Sequence, residues 1–260
     1  METVAFLDLD DTLFQSKSKC LTQEALRAVA FLGDGSAHSF MTPKQQTLWR
    51  LLYSSMRVIP TTARDWAAYR RVRLPFRDWV ILDYGGIVLD PQGTPDPAWL
   101  EEMREAMRIA VEELRLLLDV ALGFASVRNL SVRIRIIEDF GIPFYLVAKY
   151  RDGRVADLDG LQREIVEPWL ARRGDGYRLH RNGNNLAALP ATLGKEHAVR
   201  HLIRRLRTEH EEVLTFGMGD SLIDGAFMAE CDYALTPHGS QLFWQAFPFL
   251  PPALSGDHQY

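Results

Sequence analysis

The apolar run Val4-Ala5-Phe6-Leu7 passes directly into Asp8-Leu9-Asp10-Asp11-Thr12. The run reads as a short buried strand. The acidic stretch then sets two carboxylates two residues apart where that strand becomes a loop. Open α/β sheets bind ligands outside the carboxyl ends of their strands, so this junction predicts both a fold class and the edge where chemistry occurs. Two such carboxylates repel each other unless a cation or a proton stabilises them. A divalent metal does so, and it makes one Asp a candidate nucleophile and the other a candidate acid/base. A capped, solvated turn is also rich in Asp, so the reading depends on the residues further along the chain.

The chain has 260 residues, 47% of them hydrophobic and 25% charged, enough for one large domain or two modest ones with ordinary cores. A net charge of −4 argues against a nucleic-acid partner held by a global positive field. Two cysteines, Cys20 and Cys231, suit a reduced compartment and can form neither a disulfide framework nor a cysteine-rich metal site. No signal-peptide pattern is visible. The apolar-rich region Ile109 to Phe124 is broken by Glu112, Glu113, Arg115 and Asp119, so no membrane span is expected. A cytoplasmic protein is the expectation. Oligomeric state leaves no mark in the sequence.

Strand and helix patterns alternate along the chain. Thr22 to Leu32 reads as a helix ending in Gly33-Asp34-Gly35. Thr42-Pro43-Lys44-Gln45 is a helix start, with Thr42 as cap and Gln45 reaching back. Val58-Ile59-Pro60 closes a strand, and Arg64 to Arg71 resumes a helix. Trp79 to Leu82 is a strand that Gly85-Gly86 turns into a hairpin through Leu89. This alternation predicts a mostly parallel sheet covered by helices.

The Pro/Gly-rich stretch from Asp90 to Pro97 reads as a linker. Asp96 caps a long amphipathic helix with Leu100, Met103, Met107, Val111, Leu114 and Leu118 on one stripe. Val132, Ile134 and Ile136 alternate with Arg133 and Arg135 as a half-buried strand. Phe144 to Lys149 and Tyr177 to His180 add further strands around a helix at Leu161 to Glu167, and Asn182-Gly183 signals a hairpin turn. From Gly194 the first pattern returns. A helix covers about Lys195 to Arg207, and the strand Val213 to Phe216 ends in Gly217-Met218-Gly219-Asp220. A helix through Met228 and a strand Tyr233 to Leu235 come next. The expected architecture is a discontinuous α/β core, residues 1–93 and 191–260, with an α+β insert at 94–190.

Each predicted core strand end carries something reactive: Asp8 and Asp10, then Thr61, Thr62 and Arg64, then Asp220 and Asp224, with Lys195 opening a helix after Gly194. Carboxylates, a hydroxyl and a Lys are the parts of metal-assisted phosphoryl transfer. In this order they resemble the haloacid dehalogenase (HAD) superfamily of aspartate-nucleophile phosphatases. Asp8-Leu9-Asp10-Asp11-Thr12 is similar to its first motif and Thr62-Ala63-Arg64 to its second. Lys195 is similar to the third, and Gly219-Asp220-Ser221-Leu222-Ile223-Asp224 to the fourth. The insert between the second and third motifs resembles the type-C2 cap of sucrose-phosphate and mannosyl-3-phosphoglycerate phosphatases.

The resemblance implies a HAD-like Rossmannoid core with a cap domain, and roles for named residues. Asp8 attacks phosphorus, and Asp10 serves as acid and then base. Mg²⁺ is held by Asp8, the Asp10 backbone carbonyl and Asp220, while Asp224 orients Lys195 or a metal-bound water. Thr62 and Lys195 bind phosphoryl oxygens, and Arg64 is a candidate substrate contact. Two positions depart from the family pattern: Ile223 stands at the usual Asn and Ala63 at the usual Gly.

The implied activity is a Mg²⁺-dependent phosphatase for a small phosphorylated metabolite, a sugar phosphate or phosphoglycerate conjugate. A phosphomutase of the phosphomannomutase type is the alternative, and a non-catalytic sugar-phosphate sensor a third reading. His197 and His201 lie one helical turn apart but without a zinc-protease pattern, so a surface or core role is expected. Arg133, Arg135, Lys149, Arg178 and His180 fall on polar faces of insert strands. Either that face is simply solvated, or it is a cationic ceiling for a second anionic group on the substrate.

Overall fold

The computed structural model describes residues 1–20 and 24–248. The chain divides into two compact units. Among the described residues, the first comprises those of Met1–Trp99 and of 194–248, and the second Leu100–Leu193.

The first unit opens with β1 (Glu2–Leu7), β2 (Gln15–Ser16), β3 (Arg27–Phe31) and β4 (Ala37–Met41). Then come α1 (Pro43–Ser55), β5 (Arg57–Pro60), the single-turn α2 (Trp66–Tyr69) and the hairpin β6 (Val80–Leu82) to β7 (Ile87–Leu89). Helix α3 (Pro97–Val127) leads into the second unit, which contains β8 (Val132–Asp139), β9 (Ile142–Tyr150), α4 (Val155–Leu161), α5 (Glu167–Ala171), β10 (Tyr177–Asn182) and β11 (Asn185–Pro190). The first unit resumes with α6 (Lys195–Glu209), β12 (Val213–Met218), α7 (Gly225–Met228), β13 (Tyr233–Leu235) and α8 (Gln241–Ala246).

The main sheet of the first unit has the order β13-β12-β1-β5 and is parallel throughout. Val4 to Leu7 are fully buried, as expected of a parallel strand covered on both faces. Leu7 stands opposite Met218 on one side and Pro60 on the other. Three neighbouring strands therefore stop level with one another, and the residues that succeed them emerge at one edge.

Local sequence explains most elements. Thr42 and Gln45 form the expected reciprocal cap, with Thr42 Oγ1 accepting from the Gln45 N–H at 3.3 Å and Gln45 Oε1 accepting from the Thr42 N–H at 2.9 Å. Asp96 Oδ1 accepts from the Trp99 N–H at 2.9 Å and so starts α3. Met103, Met107, Val111, Leu114 and Leu117 of that helix are buried.

Two expectations fail. The stretch read as a helix from Thr22 to Leu32 is strand from Arg27 to Phe31, paired antiparallel with β4 in a small sheet of order β2-β4-β3; Thr22 lies outside the described residues. The deciding signal is turn chemistry. Leu32 N–H donates to Ser36 O at 2.9 Å, and the Asp34 carboxylate accepts from Ser36 N–H and Oγ at 2.9 and 2.6 Å. Gly33-Asp34-Gly35 thus closes a hairpin instead of ending a helix. The helix expected from Arg64 to Arg71 shrinks to Trp66–Tyr69, because Asp65 caps it through the Ala68 N–H at 2.7 Å and leaves Arg64 in the loop before it.

The second unit is an antiparallel sheet of order β10-β11-β9-β8. One face, including Ile134, Ile136, Leu146, Ala148, Leu186 and Ala188, packs on Leu114, Leu117, Leu158, Leu161 and Trp169 of its helices. The β10–β11 hairpin turns at Gly183-Asn184, since Asn182 is already paired with Asn185.

Candidate active site

The level ends of β1, β5 and β12 deliver the reactive residues. Asp8 N–H donates to Met218 O at 2.8 Å and Thr61 N–H to Leu7 O at 2.7 Å, which prolongs the strand pairing by one residue on each side. After Asp10 the chain reverses through Asp11 at φ 63°, where Asp11 N–H donates to Phe14 O at 2.7 Å. A short polar residue tolerates this left-handed turn.

Lys195 lies at the start of α6 on its buried stripe with Ala198, Val199, Leu202 and Leu206. The helix period therefore draws a lysine inward to 3% exposure. Its Nζ donates to Asp8 Oδ1 and to Asp224 Oδ1, both at 2.6 Å. Asp224 Oδ2 accepts from Ser221 N–H at 3.1 Å and Ser221 Oγ at 2.5 Å. Thr12 Oγ1 donates to Asp220 Oδ1 at 3.3 Å. One oxygen each from Asp8, Asp220 and Asp224 lie within 4.8 Å of one another. Three hard oxygen donors at that spacing fit a small divalent cation such as Mg²⁺.

Asp10 is placed differently. Its carboxylate is gripped in a fork by Arg64, with Nε to Oδ2 and Nη2 to Oδ1 both at 2.7 Å. Arg64 packs over the Phe14 ring at 5.3 Å, and its N–H donates to Thr62 Oγ1 at 3.2 Å. Thr61 and Thr62 are both buried, but Thr61 Oγ1 is turned back onto Ile59 O at 3.2 Å. Arg64 is therefore a partner of Asp10, a pairing across 54 positions that no local pattern reveals.

The β6–β7 hairpin braces this edge. Thr62 N–H donates to Ile81 O at 2.9 Å, Asp83 N–H to Arg64 O at 3.0 Å and Tyr84 N–H to Thr62 O at 3.2 Å. A Cβ on Gly85, at φ +99°, would sit 2.3 Å from Gly194 O, against the residue that caps α6. Gly85→Ala is expected to cost at least about 2 kcal/mol, from the positive φ plus the backbone clash, and to displace Lys195. Urea unfolding checks the first effect, and a variant of wild-type stability would contradict it.

The cluster sets its own electrostatics. Burial raises the Asp8 carboxyl well above the usual range; Lys195 opposes this, while Asp224 and Asp220 add to it. Burial, then Asp224 and Asp11, push Asp220 up to about 7, against Lys195 and Thr12. Burial alone would lower Lys195, yet Asp224 and Asp8 outweigh it and hold the ammonium charged. Burial likewise opposes the Arg64 charge, which Asp10 more than restores.

This arrangement makes stability depend on pH. Between about pH 4 and 7 the folded chain keeps a proton on Asp220 that the unfolded chain, at an ordinary 3.8, has released. The unfolded state then binds fewer protons, so metal-free stability falls as pH rises through that window. A divalent cation seated among these carboxylates would displace that proton, and its affinity would rise toward neutral pH. Melting curves in EDTA and in Mg²⁺ across the window measure both effects. A flat EDTA series would contradict the assignment.

His197 Nε2 faces Glu196 at 3.8 Å, and His201 faces Asp96 at 3.6 Å and the Trp99 ring at 5.0 Å. Among the described residues they join no metal-capable group. Thr12 and Ser221 escaped the sequence reading, although Ser221-x-x-Asp224 has the spacing of a capping box. Asp224 is thus fixed by Ser221, with Ile223 beside it in the same turn.

No protein-family model matches the chain, and no curated protein matches it in sequence. Solved structures do. Sucrose-phosphatase from Synechocystis sp. PCC6803, crystallised with sucrose and phosphate, aligns with a TM-score of 0.52 at 14% identity, over 96% of this chain and 88% of that one. The C-terminal domain of trehalose-6-phosphate phosphatase from C. albicans aligns at 0.51 and 15%, over 87% and 72%. A Thermoplasma acidophilum protein aligns at 0.50 and 15%, over 95% and 97%. At such identities the shared property is the fold, a HAD-like parallel-sheet core with an α+β insert, which is the fold the four motifs imply.

Proposed function

We propose that this chain is a Mg²⁺-dependent phosphatase that hydrolyses a small phosphorylated metabolite, a sugar phosphate or phosphoglycerate conjugate, through an aspartyl-phosphate on Asp8. The observation that carries the reading is Lys195 Nζ bridging Asp8 and Asp224 at 2.6 Å, with Asp220 completing the carboxylate cluster. The likeness in fold to phosphatases of sucrose phosphate and trehalose 6-phosphate supports the substrate class.

Bound Mg²⁺, held by Asp8, Asp220 and the Asp10 carbonyl, supplies positive charge against the phosphate and keeps Asp8 ionised. Lys195 and Thr62 hold the transferring oxygens, and Asp224 with Ser221 keeps Lys195 in place. An Asp8 oxygen bonds to phosphorus as the ester P–O bond breaks, and protonated Asp10 gives its proton to the departing alkoxide. Asp10 then takes a proton from water as that water's oxygen attacks phosphorus. The Asp8–phosphorus bond breaks, releasing orthophosphate and restoring both carboxyl groups. Arg64 holds Asp10 until a leaving-group oxygen replaces the guanidinium. The second unit is the cap that chooses the substrate.

A screen of phosphorylated metabolites with Mg²⁺ or EDTA tests this reading. The expected result is Mg²⁺-dependent phosphate release from a narrow set of sugar or glycerate esters. Absence of release from every ester tried, or release unchanged by EDTA, would overturn it.

A further inference from the structure

We propose that Trp99 is a positioning residue for Thr62 and Lys195: its indole N–H holds the left-handed turn on which both of them rest. The catalytic consequence deepens the phosphatase reading and rests on it; the link from Trp99 through the turn does not.

Asp83, Tyr84 and Gly85 lie between β6 and β7 with φ of 51°, 56° and 99°. Three successive residues in the left-handed region, two of them carrying side chains, keep that shape only where their surroundings fix it. Backbone bonds fix one side. Asp83 N–H donates to Arg64 O at 3.0 Å, and Tyr84 N–H to Thr62 O at 3.2 Å. Gly85 is the other side. A Cβ on it would sit 2.3 Å from Gly194 O and 3.0 Å from Lys195 N, so its backbone rests directly on the peptide that opens α6. Gly194 brings no side chain to cap that helix, and the start of α6 is therefore placed by what packs against it. The turn thus sets Thr62, after β5, against Lys195, at the start of α6.

Trp99 closes the turn. Its Nε1 donates to Gly85 O at 2.9 Å, and the residue is 2% exposed. Its own placement is fixed in turn. Asp96 Oδ1 accepts from the Trp99 N–H at 2.9 Å, Asp96 Oδ2 accepts from Arg205 Nη1 at 2.9 Å, and the His201 ring lies 5.0 Å from the indole. His201 and Arg205 are one turn apart on α6. The helix that carries Lys195 therefore grips, further along, the residue that pins its N-terminus. All of these residues belong to the first unit. A phenylalanine in place of Trp99 keeps a ring beside His201 but removes the donor, and Gly85 O is left buried without it.

The test compares Trp99→Phe with Trp49→Phe in the full chain. Trp49 is 4% exposed and stacks on Tyr53 at 5.1 Å in the core of the same unit, so its variant reports lost stability alone. Amide hydrogen exchange in the metal-free protein reads the turn. The Tyr84 N–H bonds Thr62 O, and the His197 N–H bonds Gly194 O at 3.1 Å. In Trp99→Phe both are expected to exchange at least about ten-fold faster relative to Phe6 in β1, and in Trp49→Phe neither is. If either amide keeps its wild-type ratio to Phe6 in Trp99→Phe, the proposal is overturned whatever the activity. With Mg²⁺ and an ester that the wild type hydrolyses, Trp99→Phe is expected to lower kcat by about 10- to 100-fold, the usual cost of misplacing reacting groups. KM is expected to change by less than about 3-fold, because the displaced contacts strengthen in the transition state. Trp49→Phe is expected to keep the wild-type kcat. Equal kcat in the two variants, or a loss carried by KM alone, would overturn the positioning role. Faster exchange at both amides in a chain that hydrolyses no ester would sink the phosphatase reading and leave the hold of Trp99 on the turn standing.

Discussion

Asp8→Asn is expected to remove phosphate release by on the order of 10⁴-fold or more while raising the melting temperature of the metal-free protein. The first effect comes from chemistry: an amide nitrogen or oxygen does not form the acyl phosphate, and losing a nucleophile costs most of the rate. The second comes from burial. Asp8 is 6% exposed, and its carboxyl is raised well above the ordinary range because burial, Asp224 and Asp220 together outweigh Lys195. At neutral pH its ionised form is therefore a net cost to the empty fold. A neutral isostere removes the cost and still offers an oxygen to Lys195, which retains Asp224 at 2.6 Å. The gain is expected to be on the order of 1 kcal/mol, the usual size of a single-residue effect, or a few degrees in a chain of this size. Saturating Mg²⁺ is expected to stabilise the wild type and to narrow the gap, since the variant has one ligand fewer. Continued turnover by the variant would exclude covalent catalysis at this position. A lower melting temperature in EDTA would show that the Lys195 pairing, and not desolvation, dominates the site.

The same electrostatics explain what the sequence could and could not show. Asp8, Asp220, Asp224 and Lys195 were legible because each lies at a strand end or helix start, and such ends converge in a parallel sheet whatever the loops do. Helical period alone accounts for the inward turn of Lys195, which shares a face with Val199 and Leu202. Non-local pairing was not legible. Arg64 meets Asp10 across 54 positions, and the Gly85 approach to Gly194 spans the whole insert. The Arg27 to Phe31 strand was misread because its Ala-rich sequence suits a helix, and only the hairpin made by Asp34 and Ser36 overrides that preference. In the second unit the alternation of Arg133 and Arg135 with Ile134 and Ile136 was visible, but it took register to show which cations share a row.

Lys195→Met is expected to be the most damaging single change in the first unit, costing about 3–5 kcal/mol at neutral pH. The methionine fills much of the volume, so the loss is not a cavity effect. It arises because Asp8 and Asp224, 6% and 1% exposed, are left facing each other and Asp220 without the ammonium between them. In the wild type that ammonium is held above its ordinary value of 10.5, so its contribution is fully present below that pH and persists across the physiological range. In the variant the Asp8 carboxyl rises further above the unfolded value of 3.8, with the opposing Lys195 charge gone. The deficit then grows as pH climbs from about 4 toward neutrality and shrinks on acidification, when protons replace the missing cation. Urea titrations at several pH values measure that slope. A second measurement separates charge from packing: adding Asp224→Asn to Lys195→Met is expected to recover part of the stability, so the two changes are less than additive. A pH-independent loss, or a double variant weaker than the sum of its parts, would show that Lys195 is held for its methylenes and that the buried ion cluster does not organise this edge of the sheet.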